Sequence, residues 1–179
     1  MLTAQQIHHM SAPLPDDPTY VVTNATVIDA PLPFVWEHLP KSLDISRIMQ
    51  PYRGLPGAAR WETSPDFNGP GSTITYTMTD DSQIAETILK RSDYHYVYAY
   101  LPPMRMFDFW QGNLFYSELP DGRTQVVWRY WLKPRDGLLN RLVARLLKRF
   151  IWRGYTARGI VAIKAETERL YRDQAWLSS

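Results

Sequence analysis

At 179 residues the chain has the length of one domain, given roughly 100–200 residues per domain. It contains no cysteine, which excludes a disulfide framework, a Cys-ligated zinc or iron–sulfur site, and thiol catalysis. Lys and Arg total 20 against 18 Asp and Glu, a net +2 that argues against a generally basic nucleic-acid binder, and the 45% hydrophobic and 21% charged fractions are those of a globular chain.

From Met1 to Tyr20 there is neither a basic leader nor an apolar stretch, and no apolar run reaches about 18 residues. A cytoplasmic location is therefore expected. Ser11–Pro18 carries three prolines and two acids and reads as an extended arm, with Ile7 and Met10 before it in a short helix or a tail. Residues 1–19 are set apart as an N-terminal arm, and residues 20–175 as the domain. Tyr20–Ala30, rich in Val, Thr and Ile, reads as a strand stopped by Pro31 and Pro33. Proline is tolerated in a helix's first turn, so Leu32–Leu39 reads as a short helix ended by Pro40. Ser42 can cap a second one over Leu43–Met49, closed by Pro51.

A row of strands follows. Ala58–Thr63 is the weakest, and Ser64–Gly71 is turn chemistry. Ser72–Thr79 alternates threonines against Ile74, Tyr76 and Met78, and Asp80-Asp81 turns. Gln83–Lys90 alternates Ile84, Glu86 and Ile88 against Ala85, Thr87 and Leu89. After Ser92-Asp93, alternation puts Tyr94, Tyr96, Tyr98 and Tyr100 on one face, with His95 on the other. Leu101–Arg105, with two prolines, is a loop. Phe107–Leu119 is a long strand bent at Gly112, Pro120-Asp121-Gly122 a hairpin turn, and Gln125–Lys133 the last strand, with Val126, Trp128, Tyr130 and Leu132 on one face. Short turns between successive strands make the sheet an antiparallel meander. Beyond Gly137 apolar residues recur at helical spacing, and a helix is expected to about Arg172, with a kink at Gly154.

The segments "TVIDAPLPFVWEHL", "MQPY", "GPGS", "ETILKRSDYHYVYAY" and "DGRTQVVWRYWLKP", followed by the final helix, resemble the helix-grip superfamily of START-type lipid-transfer, polyketide cyclase/dehydratase-like and birch-pollen-allergen-like proteins. The resemblance covers Tyr20 to about Arg172. It departs at Met49-Gln50-Pro51, where many relatives carry Trp-x-Pro, at one end of the pocket. It implies an α+β fold: a curved antiparallel sheet of about seven strands gripping a long C-terminal helix, with two short helices after the first strand. It also implies a cavity between sheet and helix, commonly about 300–1,000 Å³, for a hydrophobic, aromatic or polyketide-like small molecule. In that fold Tyr96, Tyr98, Trp128 and Tyr130 line the cavity, Trp110 is a wall residue, and Gly154 and Gly159 leave room for ligand atoms. Cyclase or dehydratase chemistry is one implied activity; non-catalytic carriage of a lipid or isoprenoid is the other.

Glu86 is the candidate base. Between Ile84 and Ile88 in parity, it faces inward with apolar neighbours, where burial raises a carboxyl pKa. The competing reading pairs it on the outer face with an arginine such as Arg129. The tyrosine ladder offers donors to a ligand carbonyl, although tyrosine is also an ordinary strand residue. His8, His9, His38 and His95 lack metal-ligand spacing, and no nucleotide or Ser-His-Asp pattern is visible, so neither metal nor cofactor is expected.

Charge is uneven. Lys133–Lys164 holds nine basic residues and one acid, a net +8 that leaves the remainder at −6. Leu138, Leu142, Leu146 and Phe150 share one side of the helix, and Arg141, Arg145 and Lys148 another. The simpler reading puts that apolar side in the core and solvates the charged side; the alternative docks the helix on anionic lipid or an acidic carrier protein.

Overall fold

A computed structural model describes residues 19–39, 43–65, 67, 69–100 and 105–177. The expected arm over residues 1–18, the Ser42 cap, and most of the 101–105 loop lie outside the described residues. Seven strands form one antiparallel sheet: β1 (Val21–Ile28), β2 (Ala58–Thr63), β3 (Thr73–Met78), β4 (Gln83–Ser92), β5 (His95–Tyr100), β6 (Phe107–Glu118) and β7 (Thr124–Pro134). The order is β1-β7-β6-β5-β4-β3-β2. Strands β2 to β7 are thus the expected meander, and β1 adds to the β7 edge, with Asn24 opposite Trp128. The short helices α1 (Leu32–His38) and α2 (Ile45–Ile48) follow β1. Pro31 precedes α1 without a side-chain cap, whereas Asp44 caps α2 by accepting from the Ser46 amide at 3.1 Å. The second helix therefore begins at Ile45, two residues later than its apolar pattern predicts.

After β7 the chain stays helical: α3 (Leu138–Leu147), a wide π turn over Lys148–Trp152, and α4 (Arg153–Leu177). The irregularity expected at Gly154 thus lies just before it, as an inserted residue. The α4 segment packs across β1. Asn24 donates to the Thr156 hydroxyl at 2.9 Å, and Lys164 donates to the Val27 carbonyl at 2.7 Å while pairing with Glu168.

The core lies between the inner face of the sheet and the helix. Val22, Ile28, Val35, Ile88, Val126, Tyr130, Leu132 and Trp152 are among its buried members, each such side chain contributing about 1.5–3 kcal/mol on burial. A smaller cluster of Leu89, Val97, Ala99 and Phe109, with Trp131 against it, occupies the outer face.

Two sequence expectations are overturned. Tyr94 is not part of the strand that carries Tyr96, Tyr98 and Tyr100, which begins at His95. Asp93 and Tyr94 both have positive φ (54° and 56°), the backbone of a tight hairpin turn, so Tyr94 leaves the strand and packs edge-on against Trp36. The leucine stripe of α3 does not face the core either. Leu138, Leu142, Leu146 and Phe150 are 85, 49, 47 and 52% exposed, and Ala144 is the buried residue of α3. Ala144 and Leu142 are two residues apart, which on a helix is nearly opposite sides. A small side chain lets the helix approach the sheet, and the leucines point away from it.

Candidate active-site cavity

The cavity follows from strand parity. Tyr76 on β3, Glu86 on β4, Tyr96, Tyr98 and Tyr100 on β5, and Trp128 and Tyr130 on β7 all project to the inner face. The helix closes it from the other side with Trp152, Tyr155 and Ile163, and the α1–α2 region covers its rim with Leu39, Leu43 and Ile48. The enclosed volume is about 110 Å³, below the 300–1,000 Å³ the fold resemblance implies. The reason is aromatic filling: Trp152 sits 5.0 Å from Tyr130, Trp128 6.1 Å from Tyr130, and Tyr96 5.5 Å from Tyr98. A cavity that takes a benzene-sized ring measures about 150 Å³, somewhat more than this, so a one-ring ligand enters only with a small shift of the lining side chains. Ile48 and Tyr155 also line a second groove, of about 520 Å³, outside the cavity.

Glu86 is buried at 6% exposure among these rings. The Tyr96 hydroxyl donates to its Oε1 at 2.6 Å, and the Tyr76 hydroxyl donates to its Oε2 at 3.0 Å. Burial pushes the carboxyl up from 4.5 to about 7, against the two hydrogen bonds, which pull it down. Desolvation wins, and the group is left close to half-ionised at neutral pH. Tyr96→Phe removes the shorter bond and is expected to raise the Glu86 pKa by about one unit, the worth of one hydrogen bond to a charged group. Carbon-13 NMR of labelled glutamate carboxyls measures it; an unmoved or lowered midpoint contradicts the arrangement. Arg129 lies opposite Thr23 and Asn113, away from Glu86, so the outer-face pairing with Glu86 does not occur.

The remaining hydroxyls are paired but not exhausted. Trp128 Nε1 donates to the Tyr98 hydroxyl at 3.1 Å, and the Tyr130 hydroxyl donates to that of Tyr100 at 2.6 Å. Tyr98 and Tyr100 therefore accept, and among the described residues neither has an acceptor for its own proton. Burial pushes the pKa of both well above 10, followed by the Glu86 charge for Tyr98, so both remain donors at neutral pH.

Of the residues singled out in the sequence, Glu86, Tyr96, Tyr98, Trp128 and Tyr130 come together around the cavity. Trp110 lies apart from the lining, 5.0 Å from Tyr100 and 4.7 Å from Trp152, beneath the helix. Gly159 and Gly154 make room for the protein's own side chains rather than for ligand. A Cβ on Gly159 would meet the Trp128 ring at 3.2 Å, and one on Gly154 the Tyr52 hydroxyl at 2.2 Å. Gly112 serves the cavity instead, since the Tyr98 ring lies directly on it. Tyr76, which shares parity with Ile74 and Met78, is a lining residue that alternation alone does not distinguish from ordinary core. Trp152 and Tyr155 are lining residues that the sequence pattern hides, because the stronger leucine periodicity marks a different helix face. His95 is on the outer face as expected, stacked 4.2 Å from Phe115 and 3.1 Å from the Asn113 amide oxygen. Among the described residues no group of three His, Asp or Glu side chains could hold a metal ion, and no helix is long and apolar enough to cross a membrane.

The chain matches no protein-family model and no curated protein by sequence. Its similarity to solved structures is in shape. The Zhui aromatase/cyclase from a Streptomyces species superposes with TM-score 0.61 at 18% identity, covering 83% of this chain and 93% of that one. The di-domain ARO/CYC StfQ from the steffimycin biosynthetic pathway superposes with TM-score 0.61 at 12% identity, over 86% of this chain, which spans about half (53%) of the di-domain protein. A protein from Nitrosospira multiformis superposes with TM-score 0.58 at 17% identity, covering 85% of this chain and 99% of that one. With an open seven-stranded antiparallel sheet, a long C-terminal helix and these neighbours, the chain has the helix-grip fold of the aromatase/cyclases.

Proposed function

We propose that the protein binds a compact, hydrophobic carbonyl compound, aromatic or polyketide-like, in this cavity, and that Glu86 moves a proton on it. The observation that carries the reading is the buried Glu86 carboxyl, poised near pH 7 in a cavity that the Tyr98 and Tyr100 hydroxyls, with protons still to donate, also line. The aromatic walls suit a flat apolar ligand, and sparse polar groups set its orientation. The Glu86 carboxylate takes a proton from the carbon next to the carbonyl. The C–H electron pair moves into the carbonyl, and the resulting enolate oxygen is held by the Tyr98 or Tyr100 O–H. Glu86 then returns its proton to carbon or, in a dehydration, to a leaving hydroxyl, which departs as water. The aromatase/cyclase names of two structural neighbours fit this step, since closing a ring by carbon–carbon bond formation needs the same enolate.

Incubation in D₂O with a panel of small aryl ketones, read by mass spectrometry, tests it. The wild type is expected to exchange the α-protons of a bound ketone, and Glu86→Gln to bind without exchanging them. Exchange that survives in Glu86→Gln removes the proton-transfer role.

A second reading, a carrier of lipid or isoprenoid with no chemistry, is favoured by one observation, the exposed apolar ridge on α3. It predicts that Glu86→Gln keeps both ligand and function.

A further inference from the structure

The first three turns of the C-terminal helix bury little and expose much. Leu138, Leu142, Leu146 and Phe150 recur every four residues, so they form one continuous ridge about 18 Å long. The ridge lies on the side of the helix away from Ala144 and the sheet, and nothing among the described residues covers it. Arg141, Arg145, Arg149 and Arg153 also recur every four residues and make a second ridge alongside the first. Arg145, Arg149 and Arg153 face no carboxylate within ion-pair distance among the described residues, and Arg141 meets only the fully exposed Asp136 at 3.8 Å. Arg53 adds a further cation at this end, its guanidinium donating to the Phe150 carbonyl at 2.7 Å.

We infer that this helix docks the protein on a membrane surface rich in anionic lipid, its leucine ridge in the acyl boundary and its arginine ridge among the headgroups. Charge complementarity chooses the occupant. Within the basic segment Lys133, Arg135 and Lys164 are paired with Asp108, Asp29 and Glu168, which leaves the arginine ridge beside the leucines as the charge that an anionic plane would meet. A second copy of the chain could cover the leucines but would bring a second arginine ridge against the first. An acidic carrier protein would answer the arginines but supplies no apolar phase for four exposed leucine and phenylalanine side chains, whereas a lipid interface supplies both. The docking helix runs without a break through the π turn into Trp152 and Tyr155, which wall the cavity, so ligand and membrane meet on one element. The inference stands on the surface alone and does not depend on proton transfer by Glu86.

The absence of cysteine allows a clean test. Leu142→Cys, labelled with an environment-sensitive dye, carries a single probe on the ridge. Its emission is expected to shift blue with phosphatidylcholine vesicles containing phosphatidylserine and not with phosphatidylcholine alone, and the shift should fade as salt rises. Replacing Arg145, Arg149 and Arg153 with Gln in that background should weaken binding roughly a hundredfold, about fivefold per arginine. Leu146→Ser with Phe150→Ser should abolish the shift while leaving the melting temperature unchanged, because both side chains are already exposed. Equal shifts with the two vesicle types overturn the inference, as does no shift with either. A shift that needs only higher protein concentration, or only an added acidic carrier protein, also overturns it, by identifying a different occupant. D₂O exchange with an aryl ketone in the absence of vesicles reads the cavity separately, so either proposal can fail alone.

Discussion

Glu86→Gln is expected to stabilise the protein above neutral pH and to leave it nearly unchanged in acid. The folded carboxyl titrates near 7 and an unfolded one near 4.5. Below 4.5 both states carry the proton, and the carboxyl adds no pH dependence. Between 4.5 and 7 the unfolded chain has released its proton while the folded protein still holds it, so the folded state binds more protons and stability falls as pH rises. Above 7 both are ionised and the loss levels off. The full difference is on the order of 3 kcal/mol at 1.36 kcal/mol per unit. In a chain of this size it corresponds to roughly 10 °C in Tm. Glutamine fills the same volume, stays hydrogen-bonded to Tyr76 and Tyr96, and cannot ionise. Urea unfolding of both proteins at pH 4 and pH 8 measures the gap. A constant gap across that range would mean that Glu86 is not held in a desolvated site.

Gly112→Ala is expected to cost about 1–3 kcal/mol and to weaken ligand binding, although alanine is ordinarily the better strand residue. The backbone at Gly112 does not require glycine, since its φ is not among the positive ones. Space is what requires it. A Cβ there would lie 2.1 Å from Tyr98 Cζ and 2.4 Å from its hydroxyl oxygen. The ring cannot turn aside freely, because Trp128 holds its hydroxyl at 3.1 Å and Tyr96 and Tyr130 pack on either side. The open direction is the cavity, so the ring moves there and takes the ligand's place. The Tyr98→Ala background removes the clash, and there Gly112→Ala should become neutral or slightly stabilising. The same cost in both backgrounds would show that the glycine is needed for some other reason.

Much of this arrangement is legible in the sequence. Period-two alternation in strands such as β3, and turn residues between the central strands β4, β5 and β6, which are buried on both faces, give all seven strands within a few residues. Glu86 is legible as an inward carboxyl because Ile84 and Ile88 share its parity. Its partners are harder to see. Tyr76 pairs directly with Ile84 on the neighbouring strand and reaches Glu86 diagonally, and Tyr96 reaches it across a register shift between Ile88 and Lys90. That irregularity turns Arg91 toward α1, where it donates to the Trp36 carbonyl at 2.9 Å, and alternation alone does not foresee it. The helix misled for another reason. Its most regular apolar stripe is the exposed one, and the face that meets the sheet begins with a single alanine. Hydrophobic periodicity records that a face is apolar and does not record what covers it. Cavity volume is equally hidden, because it depends on how nine aromatic side chains, Tyr116 among them, fill the space between sheet and helix.

Native mass spectrometry of the purified protein tests most directly whether the tyrosine-walled cavity around Glu86 is a ligand site. Wild type and Glu86→Gln are expected to retain or readily take up a hydrophobic compound of about one ring, and Gly112→Ala to lose it. Wild-type protein that carries nothing and takes up no member of a panel of aryl ketones and phenols, or that binds them equally well after Gly112→Ala, would contradict it.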